Sequence, residues 1–390
     1  MESCRSPLAV FRRAHELGSR PWPTPHASRF SRKTFTRAQL FACLALREYL
    51  GLSYRDAQAF LADVPAWLAA AGMARAPDHN TLWRAFGTLL RPGRTAWALD
   101  LLAGDRRGEL NVALRVKPLS IDATYLEPRH RSRHYDRVCR TRGEDARRPG
   151  KWGRSVNRAR RRRVRRLPKL ALATAAATRQ VLAARATLGA GSDAPDFGPL
   201  LYDAWRRAAV RTVVADAGYD SEANHRLARL DLNVRSVIAV GIGRPSAKPP
   251  GGYYRRLMKQ RFKNKADAKV YGQRSQSETA NSMLKRNLGS ELRSVDPTRQ
   301  KQELMLRAIV HNLMLPPPGT RGSRLSLDVP FRDPAACQNR KAQEAAEQYV
   351  TCQHNQYSSA PCAPRAGYAP AQRRPDSKKN ANTHAALESA

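Results

Sequence analysis

A mixed α/β fold with an all-helical segment in front of it is predicted by three features of the 390-residue chain. From residue 34 to about 92, apolar side chains recur on a helical period. From 113 to 240, short β-rich runs alternate with amphipathic helical stretches. Outside residues 34–315 the periodicity fades into basic or Pro-, Ala- and Gln-rich chain.

Residues 1–33 are basic and punctuated by proline, which predicts a flexible arm. The helical part then reads as "TRAQLFACLALREYLG", as "SYRDAQAFLADVPAWLAAAG" capped at Ser53, and as "PDHNTLWRAFGTLL" capped at Asp78 or Asn80. Short helices with tight joints fit a helix-turn-helix, whose last helix would enter a DNA major groove. A plain packing or dimerisation domain fits them equally well.

Five strands follow, in "KPLSIDATY", "KLALATAAAT", "VLAARATLG", "RTVVADAG" and "VRSVIAVG". Helices are expected at "DAPDFGPLLYDAWRRA" and "SEANHRLARLD". Between the first two strands, residues 124–168 hold 16 Arg and one Lys against four acids, with "RARRRRVRR" at the centre. This stretch reads either as an insertion that orders on a phosphate backbone or as a solvated loop. A last helix through "QKQELMLRAIVHNLML" should pack on the sheet, and residues 316–390 are expected to be a disordered tail.

Before that last helix stands "YGQRSQSETANSMLK", residues 271–285. Steps of three, four and seven residues put Tyr271, Arg274, Glu278 and Lys285 on one side of a helix, a stripe roughly 20 Å long. Cations flank a single carboxylate along it. An anionic polymer suits this stripe better than a small ligand, although an i,i+4 Arg274–Glu278 pair on a solvated face gives the same pattern.

The charge balance favours the polymer. Lys plus Arg number 70 against 32 acids, for a net charge of +38 and a pI near 11.1. Such a chain repels itself unless it meets a polyanion, and nucleic-acid phosphates are the obvious one. No apolar run is long enough for a membrane span, and the start lacks a signal-peptide core, so the expected setting is cytoplasmic and nucleoid-associated. The six cysteines form no CxxC pair, and Cys352, His354 and Cys362 fall in the tail.

Two more acids stand out. Asp122 closes the apolar run "LSID" and Asp216 closes "TVVAD", so each should emerge at the edge of a buried strand, where α/β sheets place their chemistry. Such an Asp is also a common turn former. Asp220, beside Ser221, is expected to serve the next helix instead. Two strand-end aspartates and a helical glutamate suit two Mg²⁺ or Mn²⁺ ions about 4 Å apart, a pair that clamps both oxygens of an in-line phosphoryl displacement.

Asp122 in "SIDATYLE", Asp216 in "VVADAGYDSE" and Glu278 in "YGQRSQSETANSMLK" resemble the catalytic triad of insertion-sequence DDE transposases. The last stretch fits the Tyr-x2-Arg-x3-Glu-x6-Lys pattern of one large group of them. The resemblance covers about residues 34–315 and implies a ribonuclease-H-like mixed sheet flanked by helices. It also implies DNA cleavage at transposon ends and strand transfer into a target, by a homodimer in the DNA complex. Asp122, Asp216 and Glu278 would then hold the metals, with Asp122 bridging both, while Tyr271, Arg274 and Lys285 grip DNA. Only 61 residues separate Asp216 from Glu278, too few for the large β-strand insertion that some members carry. The implied organisation is an arm at 1–33, a helical DNA-binding domain at 34–112, a catalytic domain at 113–315 and a tail at 316–390. A nuclease without strand transfer and an inactive DNA-binding descendant are the alternatives.

Overall fold

Residues 7–19, expected within a flexible arm, form helix α1 (Pro7–Ser19) in the computed structural model. Their apolar positions Val10, Phe11, Ala14 and Leu17 are all buried and repeat on a helical period. Interleaved arginines and the neighbouring prolines obscured that stripe. The structure describes residues 6–20, 24–26, 30, 33–110, 115–129, 167–189, 191–241 and 250–316. The centre of the Arg-rich stretch, at 130–166, and the tail from 317, with Cys352, His354 and Cys362, lie outside the described residues.

Helix α2 (Arg37–Leu50) starts at a Thr36–Gln39 capping box and stops at Gly51, whose φ of 72° is left-handed. Ser53 caps α3 (Tyr54–Asp63) as expected. Pro65 then splits what reads as one helix and opens α4 (Pro65–Ala70), because proline suits a first turn and not an interior. Asp78 caps α5 (His79–Leu89), and α6 (Pro92–Leu110) follows.

The next strands are β1 (Arg115–Val116), β2 (Leu119–Tyr125), β3 (Glu127–Pro128), β4 (Pro168–Ala175) and β5 (Val181–Leu188). After them come α7 (Ala194–Arg207), β6 (Ala209–Val210), β7 (Thr212–Ala215), α8 (Glu222–Arg226) and β8 (Arg235–Ile238). The five predicted strands make one sheet in the order β5-β4-β2-β7-β8. β5, β4 and β2 are antiparallel, whereas β2, β7 and β8 are parallel. This mixed sheet flanked by helices is consistent with a ribonuclease-H-like domain. Thr124 and Tyr125, which the sequence reading puts both in "KPLSIDATY" and in the Arg-rich stretch, belong to β2.

Beyond the sheet lie α9 (Tyr253–Lys263), α10 (Ala268–Gly272), α11 (Ser275–Leu288), β9 (Glu291–Leu292) and α12 (Pro297–Met314). The single helix expected over 271–285 is therefore broken. Gly272 is a weak helix former, and the chain tightens through Gln273 N–H to Val270 O and Arg274 N–H to Tyr271 O, both i→i−3 bonds. Tyr271 precedes the break, Arg274 is the N-cap of α11, and only Glu278 and Lys285 share that helix.

Each face of the sheet has its own core. Phe197, Leu200, Leu201 and Ala204 of α7 pack with Ile121, Ala173 and Val213. On the other face Leu170 and Leu172 join Leu284 and Leu288 of α11, Leu304 and Ile309 of α12, and the apolar faces of α1, α2 and α5 in one continuous cluster. The N-terminal helices thus pack on the sheet domain. Glu48 of α2, fully buried, accepts from Arg307 Nε of α12 at 2.7 Å. Arg307 also donates to the Gly289 carbonyl at 2.7 Å, the Glu291 carbonyl at 2.6 Å and Glu303 at 3.0 Å. One guanidinium therefore fixes α2, α12 and the end of α11 together. Among the described residues no helix is long and apolar enough to cross a membrane.

Candidate active site

The site begins with a mismatch in strand length. The parallel register pairs Ile121 with Ala215, and β7 ends there while β2 runs on to Tyr125. Asp122 and Asp216 each follow directly on those partners, on strands about 4.8 Å apart. Asp122 is accordingly inside its strand, not at its end as read from sequence; what exposes it is the stop of its neighbour. Asp216 turns the chain into a short 3₁₀ segment and accepts the Gly218 N–H at 2.9 Å. A side chain on Gly218 would crowd this turn, since a Cβ there would lie 3.1 Å from Asp216 Oδ1 and 3.0 Å from Asp193 Oδ2.

Helix α11 lies against β2 through Ser277, Ala280, Asn281, Leu284 and Leu288, its buried side. The small Ser277 and Ala280 permit close approach. Ser277 Oγ and Ser120 Oγ both donate to the Arg274 carbonyl, at 2.8 and 3.4 Å, which ties the start of the helix to β2. One turn on, Asn281 Nδ2 donates to Asp122 Oδ2 at 2.9 Å. Sequence reading missed Asn281. Its position three residues after Glu278, among residues too small and polar for a core, was the available signal.

Burial pushes the Asp122 pKa up, the nearby charge of Asp216 adds to this, and the Ala123 N–H, Arg274 and Asn281 oppose it. Glu278 is half-exposed and pairs with Arg274 Nη2 at 2.7 Å. Arg274 is the shared counterion: its charge also interacts with Asp122 and Asp216. Tyr271 leans against Phe262 of α9 in a T-shaped contact, ring centroids 4.9 Å apart, with the Arg274 guanidinium 5.9 Å from its ring. Lys285 sits two turns past Glu278, half-buried. The carboxylates do not form a compact group as expected: among the described residues no set of three or more His, Cys, Asp or Glu is placed to hold a metal ion. The two aspartates are neighbours, and Glu278 is drawn to Arg274.

Asp220 has the opposite surroundings. Its side chain is 1% exposed and bound by Arg255 Nη2 at 2.7 Å and the Gly241 N–H at 2.8 Å, with His225 Nε2 at 3.8 Å. Burial pushes its pKa up, but the hydrogen bonds from His225, Arg255 and Gly241 bring it down to about 2. It is a structural anchor for the Arg255 segment, and not the cap of α8 expected beside Ser221, since α8 has no side-chain cap hydrogen bond.

Beneath the site, Lys169 is buried between Asp193 at 2.5 Å and Asp196 at 2.8 Å. Tyr219 is fully buried nearby, its hydroxyl unpartnered among the described residues. Burial first, and then the charges of Asp193, Asp122, Asp196 and Asp216, raise its pKa.

A family model described as the transposase DDE domain matches residues 118–313. No curated protein and no solved structure matches the chain.

Proposed function

The chain belongs to the transposase DDE domain family, and from that premise we propose that it cleaves DNA at the ends of its own element and joins them to target DNA. The observation that carries this reading is the meeting of Asp122 with α11. Asn281 holds the aspartate, and at the start of the same helix Arg274 pairs with Glu278 and interacts with the charges of Asp122 and Asp216.

In this reading Asp122, Asp216 and Glu278 would hold Mg²⁺ or Mn²⁺, two ions in all. The donor set fits, since hard divalent cations take carboxylate oxygens, and Glu278, now paired with Arg274, would complete it. When bound, such ions polarise the phosphate and activate the attacking oxygen. The chain's own groups do the rest. Asn281 fixes the rotamer of Asp122, and the Gly218 N–H fixes that of Asp216. Arg274, released from Glu278, is free to meet a phosphate, and Lys285 grips the backbone two turns along. Tyr271, braced by Phe262, offers a ring edge to the bound strand.

The N-terminal helices read the end sequences in this scheme, with the chain acting as a homodimer on DNA. Asn80, Trp83 and Arg84 are exposed on α5, and Arg299 stacks 3.9 Å over the Trp83 ring. Sequence preference is to be tested by changing Asn80 and Arg84, because deleting these helices would strip the shared core.

The decisive experiment uses DNA bearing the terminal sequences that flank the gene. Asp122→Asn and Glu278→Gln keep shape but remove charge, so Mg²⁺-dependent cleavage should fall by about 10³-fold or more while end binding persists. Cleavage at the wild-type rate by either variant would overturn the site. Cleavage without joining would reduce the chain to a nuclease.

A further inference from the structure

We propose that the outer face of α9, outside the Tyr-x2-Arg-x3-Glu-x6-Lys motif, is a docking surface for the phosphate backbone of DNA entering the candidate site. It rests on the DNA reading above. Residues 253–269 contain seven Lys and Arg and one acid, Asp267. That acid is buried and already held by Arg261 at 2.6 Å and by Arg235. The charge of the segment is therefore unbalanced.

Helix α9 sorts its cations by direction. At 3.6 residues per turn, Arg256, Lys259, Gln260 and Lys263 fall on one arc, and all four are exposed. The opposite arc carries Met258, fully buried, with Tyr254 and Phe262 half-buried. Arg255 and Arg261 are spent on Asp220 and Asp267, but among the described residues Arg256, Lys259 and Lys263 have no acidic partner. Arg256 and Lys263 stand about 10 Å apart along the axis. Any surface helix turns its charges outward, but a face of three cations in a line with no acidic partner among the described residues matches a polyanion.

The face is also rigidly held and aimed. Glu222 accepts the N–H groups of Tyr254 and Arg255 at 3.2 and 3.1 Å, capping the helix from outside. Gly252, at φ +92°, makes room for it, because a Cβ there would lie 2.2 Å from Glu222 Oε2. At its other end Phe262 braces Tyr271 beside Arg274. Exposed Lys265 and Lys269 continue the charge between them. A backbone lying on α9 is thus led to the residues around Asp216 and Glu278.

The test measures the binding of the full chain to a labelled duplex of about 30 base pairs across a salt series. Arg256→Gln with Lys263→Gln should make the slope of log K against log salt shallower by about 2 units, since each phosphate contact contributes about 0.9. Lys117→Gln with Arg211→Gln removes the same charges from exposed positions at the opposite ends of β2 and β7 and should change the slope by less than about half a unit. Lys259→Gln alone should remove about 1 unit, which guards against a misfolded double variant. Equal changes in both double variants, or none in the α9 double, would overturn the surface. The family reading is judged separately: joining of ends by the wild type with an unchanged α9 slope sinks the surface alone. The reduced slope without any cleavage by the wild type would leave the surface standing and sink the transposase reading.

Discussion

Asp216 and Asp220 are four residues apart, yet one lies at the candidate site and the other in a scaffold, and the contrast extends across the molecule. Around Asp220, and again around Glu48 and Glu303, each carboxylate is buried and met by guanidinium donors, joined at Asp220 and Glu303 by backbone N–H groups. Around Asp122, Asp216 and Glu278 the donors are few, one of them is an amide side chain, and a single arginine serves several acids. A buried charge is tolerable only with its partners in place, so the saturated groups have no capacity left for a ligand. The under-served group can exchange a partner for one.

The largest structural effect should come from breaking the saturated region. Arg307→Ala leaves Glu48 and Glu303 buried without their main cation and frees the carbonyls of Gly289 and Glu291, so unfolding should become easier by about 3–5 kcal/mol. Because Gly289 ends α11, the candidate site should lose its footing too. Denaturant titration measures this, and a loss under about 1 kcal/mol would mean that the cluster does not bind the two halves together.

Asp220 sharpens the comparison through pH. Its pKa of about 2 lies below the ordinary carboxylate value, so its stabilisation is fully present above about pH 4 and is lost as pH falls through 2. The shift corresponds to roughly 2 kcal/mol. Asp220→Asn should melt lower than the wild type at pH 6, and the gap should close towards pH 2. A gap constant with pH would assign the effect to packing. Activity per folded molecule should survive, the reverse of what Glu278→Gln predicts.

The sheet was legible because its strands are short β-rich runs separated by turn formers; "LSIDATY" falls within it as read, and "TVVA" does too, with Asp216 directly after it. Position alone separates Asp216, ending an apolar run, from Asp220, beside Ser221, and their surroundings differ in the structure. Less could be read where structure depends on contacts distant in sequence. Helix α1 looked like an arm because its apolar stripe is thin and means something only against α2. The break at Gly272 was hidden because the 3.6 period survives a tight turn well enough to keep Arg274 and Glu278 paired. Asn281 has no value in isolation; its role exists only because Asp122 lies opposite. Helix α9 escaped notice because Arg255 and Arg261 flank its apolar side, and only the acids that anchor them set them apart from the outer cations.

The smallest expected effect tests where the under-served region ends. Lys285 lies seven residues after Glu278 on the intact part of α11, so it shares that side of the helix across two turns. If DNA lies along this side, Lys285→Ala removes one phosphate contact, the salt slope falls by about 0.9 unit, and affinity drops several-fold at low salt but much less at high salt. Stability should stay within about 0.5 kcal/mol, as for a surface change away from caps and cavities. Metal-dependent cleavage at saturating DNA should also persist, because a distant phosphate contact serves binding more than the reacting centre. An unchanged slope with intact binding would show that the track turns away from α11 after Glu278, leaving Lys285 a solvated lysine. A large loss of cleavage at saturating DNA would place it within reach of the reacting phosphate, so the boundary between grip and chemistry would lie further along the helix than Asn281.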